Sequence, residues 1–510
     1  MKTGKQDIIV VQSAESSELE EEWLNINWYK VKRDILKIQQ RIYRAVADGN
    51  FRKAKRLARL LVNDSRVLLY SIRIVTQKNG GKSTSGIDGN VYLAHESRMR
   101  LFYEMNEENI KLHKVKPVRR VYIPKKNNEL RPLGIPTIKD RIYQNICKMA
   151  LEPMFEPKFE STSYGFRPIR GQQDAISKIY SHIRYYNRPY IFEGDFEACF
   201  DNLNHEFILN ELKDFPLVGL IRDWLEAGYL HNDNFYVTES GTPQGGIISP
   251  LLANIALHGM EKALKIKYKK YKRSNDKYSY KNVSKYVVVR FADDFVVLCK
   301  TKDDTEKVPE LLKDYLKNRG LTLSPEKTHI THLDDGFDFL GINFRSYKTN
   351  DGIKVITKPS KDSINSFKNK VRALYRMVLY TRDFESFIIA LNNLIRGTAL
   401  YWRMTSASKV FHKMDYFIWN KTKKLLHRLY PKKSHKWIKG KHFKPSSNRE
   451  CKDKYLFTDP ETGCQLIRMS WTKVKYNNYP LKYGVSPYDK ENWDYIEKIK
   501  FKPIVKCLYV

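Results

Sequence analysis

Cysteine is sparse in this chain. The 6 cysteines among 510 residues stand at 147, 199, 299, 451, 464 and 507, and no two form a CxxC pair. That scatter indicates neither a disulfide framework nor a zinc site, and it makes a reducing, intracellular setting the default. Long apolar runs are missing too. No stretch reaches about 18 apolar residues, so no membrane span is expected. The run Ile8-Ile9-Val10-Val11 is too short for a signal-peptide core. No solenoid-like repeat is present. Acidic residues are in deficit, 57 Asp+Glu against 92 Lys+Arg, for a formal net charge of +35. A large phosphate-bearing partner is the simplest reason for such an excess.

What is present reads as globular. Hydrophobic residues make up 42% of the chain and charged ones 29%, which excludes a disordered class and allows a large core. Basic residues run with aromatics, most densely in Lys265-Ile266-Lys267-Tyr268-Lys269-Lys270-Tyr271-Lys272-Arg273. That mixture suits phosphate contact plus base stacking, or equally a solvated helix face.

The chain divides by composition. Residues 1–24 read as a flexible tail, acidic over Glu18-Leu19-Glu20-Glu21-Glu22. Residues 25–80 read as a helical extension, with Leu57, Leu60, Leu61, Leu68 and Ile72 at helical spacing. Asn79-Gly80-Gly81-Lys82-Ser83 reads as a linker. Residues 81–350 mix strands and helices. Residues 360–445 are mainly helical, with Ile364, Phe367, Val371 and Leu374 on one core face, and Val410, Met414, Phe417 and Ile418 on another. Residues 446–510 are basic, aromatic and turn-rich.

Phe291-Ala292-Asp293-Asp294 carries the most chemical information. It lies between the apolar runs Tyr286-Val287-Val288-Val289 and Phe295-Val296-Val297-Leu298, which read as a hairpin. Two carboxylates at such a tip are costly unless something neutralises them. A divalent cation does so, and with a third carboxylate the set suits two-metal phosphoryl transfer. Asp195 supplies that third carboxylate, at the end of the strand-like Tyr190–Gly194 and just before a helix. Taken alone, an Asp-Asp pair is more often a turn.

Other segments fit around these acids. Val121-Tyr122-Ile123-Pro124-Lys125-Lys126 and Leu130-Arg131-Pro132-Leu133-Gly134-Ile135-Pro136 read as two strands joined by a basic hairpin. Arg131 suits bidentate phosphate contact. Gly241-Thr242-Pro243-Gln244-Gly245-Gly246 is a turn that lets backbone approach a ligand, and Gln244 offers both a donor and an acceptor. Ser324-Pro325-Glu326-Lys327-Thr328 supplies a lysine after a helix-like segment, and Phe339-Leu340-Gly341 reads as a strand with a break.

In order, Asp195 with Phe200, the PQGG turn, FADD, SPEKT and FLG resemble reverse transcriptase motifs. Ser85-Gly86-Ile87-Asp88-Gly89, the RPLGIP segment and Tyr164-Gly165-Phe166-Arg167-Pro168 resemble the extra N-terminal blocks of group II intron reverse transcriptases. The helices of 360–430 resemble that family's maturase, or thumb, domain. The resemblance covers roughly residues 25–495 and implies an α+β, right-hand polymerase: fingers and palm (81–350) with an antiparallel palm sheet, then a helical thumb/maturase domain (360–445). It implies an RNA-directed DNA polymerase that also binds intron RNA and promotes splicing and mobility.

Residue by residue, the resemblance makes Asp195, Asp293 and Asp294 the catalytic carboxylates and ligands of two Mg²⁺. Arg131 would hold the triphosphate, and Phe200 would block a ribose 2′-OH. Gln244 would line the nucleotide pocket, and Lys327 would lie near the primer terminus. The implied partners are dNTPs, an RNA template with a DNA primer, intron RNA and a DNA target, in a bacterial cytoplasm or an organelle. Phe291 stands where the family has Tyr, which keeps the ring. Residues 446–510 resemble the DNA-binding segment, but Cys451 and Cys464 lack the Cys and His pattern of an HNH endonuclease, so neither endonuclease nor zinc is expected. Two other readings share the motifs: an RNA-binding maturase with little polymerase activity, and a related enzyme recruited to host defence.

Overall fold

Amphipathic spacing builds a helical layer at the start of the chain. The computed structural model describes residues 4–124, 129–231, 234–242, 245–272, 278–447, 453–476 and 480–500. The first helices are α1 (Gly4–Asn25), α2 (Trp28–Ala47), α3 (Phe51–Val62), α4 (Ser65–Arg73) and α5 (His95–Glu107). Asn27, Asn50 and Asp64 cap α2, α3 and α4, each side chain accepting a backbone N–H of the first turn. Leu57, Leu61, Leu68 and Ile72 are buried, but Leu60 is 53% exposed. The core face of α3 passes through Ala54, Leu57, Ala58 and Leu61, and position 60 turns away from it.

Two segments expected to be loose are held. The 1–24 tail is helix from Gly4 onward, and its later part lies on α5. Trp23 is buried, Tyr103 Oη donates to Glu22 at 2.7 Å, and Ser16 Oγ donates to Glu96. The acidic run is therefore a helix face with partners. The glycine-rich break at 79–83 is likewise pinned, since Arg141 donates to Gly81 O at 3.1 Å and to Thr84 O at 2.6 Å.

Strands β1 (Val118–Pro124) and β2 (Leu130–Ile135) form the expected antiparallel hairpin, with Ile123 across from Arg131. Lys125 and Lys126 lie outside the described residues. Next come α6 (Ile138–Phe155), α7 (Gln172–Ile183), β3 (Tyr190–Gly194), α8 (Cys199–Asn202), α9 (His205–Glu211) and α10 (Val218–Glu226). Short strands β4 (Tyr229–His231) and β5 (Asn234–Tyr236) extend the first sheet in the order β2-β1-β4-β5. After α11 (Ser249–Ala256) and α12 (Met260–Ala263), the Lys–Tyr segment forms β6 (Tyr268–Lys272), paired with β7 (Tyr278–Asn282). It is a hairpin, not a helix face.

The palm sheet holds β8 (Val287–Phe291), β9 (Asp294–Cys299) and, after α13 (Lys302–Glu306) and α14 (Val308–Lys317), β10 (His329–His332). Its order is β10-β3-β9-β8, antiparallel throughout. Side chains alternate across it. Phe192, Val288, Phe295 and Val297 join a core shared with α2–α6 and α11. Ile191, Val287, Val289, Val296 and Leu298 join a second core. Both faces are covered, which is why the strands read as unbroken apolar runs.

That second core continues into the thumb. Strands β11 (Phe337–Phe339), β12 (Ile342–Thr349) and β13 (Gly352–Pro359) form a small sheet leading to α15 (Lys361–Thr381), α16 (Phe384–Trp402) and α17 (Ser408–Leu429). Phe367, Val371, Met414 and Ile418 are buried there. Tyr401 Oη donates to Leu340 O at 2.6 Å, tying thumb to palm. The architecture is thus α+β, fingers and palm followed by a helical thumb.

Beyond it, α18 (His435–His442), β14 (Phe443–Lys444) and β15 (Leu456–Phe457) pack on the thumb, and Phe443 is buried in its core. The chain then returns to the N-terminal layer. Val485, Tyr488 and Ile496, the last in α19 (Trp493–Lys500), form a small core with Leu36 of α2. Part of the basic segment expected to bind DNA is therefore spent on contacts within the chain. Among the described residues, no helix is long and apolar enough to cross a membrane.

Candidate active site

The palm register puts the three acids at the same end of the sheet. Gly194 of β3 lies across from Phe295 of β9. A Cβ on Gly194 would come within 2.2 Å of the Phe295 ring, so only glycine lets the strands close here. Asp195 directly follows Gly194, and Asp294 directly precedes Phe295, with Asp293 next along the turn. Burial pushes the Asp293 carboxyl up, and like charge from Asp195 adds to it; the Arg131 and Arg290 guanidinium groups pull it down. Asp294 keeps solvent access, yet its carboxyl is pushed up to about 6 by the protein around it and then by Asp293 and Asp195. The cluster therefore has too little positive charge near it, and its donors are hard carboxylate oxygens, the kind that suit Mg²⁺.

One cation is already there. Lys327 Nζ lies 2.8 Å from Asp195 Oδ2. Its ammonium is held above the usual lysine range, first by Asp195. The loop carrying it is fixed by Ser324 N donating to Asp195 O at 2.9 Å. Among the described residues, no three His, Cys, Asp or Glu side chains are gathered as a metal-ligand cluster.

The turn carrying Asp293 and Asp294 is held by Arg290, Asn254 and Ser163, which belong to none of the motifs. Ala292 has φ of +58°, in the left-handed region. Its carbonyl accepts from Arg290 Nη1 at 2.8 Å. Arg290 also donates to Asn254 Oδ1 at 3.1 Å and Ser163 Oγ at 2.7 Å. Gly165 lies so close that a Cβ there would come within 2.3 Å of Ala292 N. The signal was available: Arg290 interrupts an apolar strand, and a buried guanidinium persists only with partners.

A cavity of about 270 Å³ is lined by Arg120, Pro132, Gly134, Phe200, Tyr229 and Thr242 among others, and by none of the three acids. Gly241 packs against α8, where a Cβ would meet Phe200 O at 2.6 Å, and Thr242 N donates to the same carbonyl at 2.6 Å. Gly245 (φ +124°) lies against Gly134 O. Gly241 and Thr242 thus contact the Phe200 helix, and Gly245 contacts the Arg131 strand. Arg131 reaches the acids electrostatically through Asp293. Gln244 lies outside the described residues.

Comparison with known proteins bears on the family. A family model for reverse transcriptase (RNA-dependent DNA polymerase) matches residues 123–344. Models for the N-terminal domain of reverse transcriptase and for the group II intron maturase-specific domain match residues 23–105 and 364–443. The group II intron-encoded protein LtrA of Lactococcus lactis subsp. cremoris is 32% identical over 388 residues, 63% of this chain and 64% of that protein. The chain thus spans somewhat under two thirds of that relative. Protein YkfC of Escherichia coli is 30% identical over 368 residues, 67% of this chain and 96% of that protein. A solved telomerase from Candida albicans, in complex with a fragment of telomeric RNA, covers 63% of this chain and 58% of its own at 14% identity and a TM-score of 0.37, too distant to bear on function.

Proposed function

The chain belongs to the group II intron-encoded reverse transcriptase and maturase family, and we propose that it extends a DNA primer along an RNA template with dNTPs. The observation that carries this reading is the placing of Asp195, Asp293 and Asp294 at one end of the palm sheet, near enough that like charge adds to burial in pushing the Asp293 and Asp294 carboxyls up. Asp195, Asp293 and Asp294 would hold two Mg²⁺, which when bound supply Lewis-acid activation of the primer hydroxyl and charge stabilisation of the leaving group.

The chain's own residues do the rest. Arg131 binds the triphosphate and offsets its charge. Phe200 fills the space a ribose 2′-hydroxyl would need. Lys327 holds Asp195 in place before substrate arrives and offers an ammonium to phosphate afterwards. The primer 3′-hydroxyl then displaces pyrophosphate from the α-phosphate.

Primer extension on an RNA template with Mg²⁺ and dNTPs tests this reading. Asp195→Ala and Asp293→Ala are expected to lose synthesis while keeping the wild-type Tm. Near-normal synthesis by either variant refutes the site assignment.

A second activity, binding intron RNA to promote splicing and mobility at a DNA target, is supported by the maturase-specific match over the thumb. On its outer surface Lys433 and Lys441 lie 5.3 and 5.1 Å from the ring of Trp437, itself 38% exposed. Such pairs suit phosphate contact beside base stacking. The setting is intracellular, bacterial or organellar. Splicing that survives Asp293→Ala would separate the two activities; splicing lost with RNA binding intact would refute the separation.

A further inference from the structure

Resting on the polymerase reading above, we propose that the returning C-terminal strap, residues 480–500, positions the Asp293–Asp294 turn through a brace of buried arginines: Arg170, Arg167 and Arg290. The brace can be followed bond by bond. Gly484 N donates to Ser161 Oγ at 2.9 Å. Arg170 donates to Val485 O at 3.0 Å and to Ser161 O at 3.1 Å, so it clamps the strap to residue 161. Arg167 donates to Ser163 O at 2.9 Å and to both oxygens of the buried Glu156 at 3.0 and 2.7 Å. The 161–165 ribbon is thereby held along one side.

Its other side is bonded to β8. Arg290 N donates to Thr162 O at 3.0 Å, and Tyr164 N donates to Arg290 O at 2.9 Å. The Arg290 guanidinium then joins Ser163 Oγ to the Ala292 carbonyl, and Gly165 lies against Ala292 N. Thr162, Ser163, Arg167 and Arg290 are each less than a tenth exposed. Such a path transmits displacement because buried hydrogen-bonded charges have few other arrangements open to them. The strap is fixed at further points, by Tyr488 Oη donating to Glu152 and by Lys500 Nζ at 3.1 Å from Asp174. With Val485, Tyr488 and Ile496 on Leu36, it links α2 to the turn that carries two of the three acids. Arg290 and Arg170 are positioning residues in this account, since neither touches substrate.

The test uses the full chain with Arg170→Lys, Arg290→Lys and the double variant, assayed well below the lowest Tm. Arg290→Lys is expected to lose about 100-fold in kcat, the cost of a misplacement near 1 Å, with KM for dNTP unchanged. Arg170→Lys is expected to lose about tenfold, and the double variant to lose no more than Arg290→Lys, because residues of one unit are non-additive. Hydrogen exchange at the amides of 290–295 should quicken in Arg170→Lys. Wild-type kcat in Arg170→Lys, or losses that multiply in the double variant, would overturn the brace. So would unchanged exchange at the turn. If the wild type made no DNA, the polymerase reading would fail, while the exchange result would still decide the brace.

Discussion

A single methyl group at residue 165 should disable the site. A Cβ on Gly165 would sit 2.3 Å from Ala292 N and 2.9 Å from Ala292 Cα, where ordinary contact begins near 3.4 Å. The two backbones must therefore separate by about 1 Å. Gly165 is poorly placed to yield, because its carbonyl accepts from Asn254 Nδ2 at 2.8 Å and the preceding amide is bonded to Arg290 O. The strain passes to Ala292 and with it to Asp293 and Asp294. Overpacking of this kind costs roughly 1–3 kcal/mol in stability. A shift of about 1 Å in catalytic groups costs on the order of 100-fold in rate. Gly165→Ala should thus lower the rate of primer extension about 100-fold while the protein remains folded. The assay is single-turnover extension at saturating dNTP and Mg²⁺, beside a thermal melt. Gly219→Ala is the control, since a Cβ there meets nothing within 4 Å. Extension by Gly165→Ala within threefold of wild type would refute the reasoning, because the turn would then tolerate displacement without loss of chemistry.

Three further outcomes are expected. Phe200→Ala should admit ribonucleotides, narrowing the dNTP-to-rNTP ratio of kcat/KM by about tenfold or more; an unchanged ratio would remove Phe200 from the sugar pocket. Lys327→Ala breaks an ion pair whose lysine is 68% exposed, so stability should change by less than about 1 kcal/mol while extension slows; a large fall in Tm with normal extension would make Lys327 structural instead. Glu160→Gln should flatten the pH dependence of stability. Burial, and then the like charge of Glu261, pushes the Glu160 carboxyl up from 4.5 to about 7. The folded state thus keeps a proton that the unfolded chain has released. Wild-type stability therefore falls as pH rises from 4.5 to 7, then levels off. Urea midpoints at pH 5 and pH 8 check this, and parallel curves for the two proteins would contradict it.

Short-range pattern was sufficient for the parts of this protein that local chemistry dictates. Apolar runs on either side of Asp293 and Asp294 specify a strand–turn–strand, and the run ending at Gly194 places Asp195 at a strand's end. Phe367 and Val371, or Met414 and Ile418, mark helix faces because their spacing repeats every turn. Motif order also carried the family and the fold class. Tertiary structure decided what depends on residues distant in the chain. The strands that end at Asp195 and begin at Asp294 pair closely because Gly194 leaves room for the Phe295 ring about a hundred residues later. Gly165 is required by contact with Ala292, and Arg290 is tolerable in an apolar strand because Ser163, Asn254 and Ala292 accept its hydrogen bonds. The acidic N-terminus is a helix because α5 offers it partners, and the basic C-terminus is partly a strap because α2 and Arg170 hold it. Periodicity reports which side of an element is buried. It does not report which distant segment buries it, and a charged or acidic stretch acquires its role only from the groups that the fold brings to it.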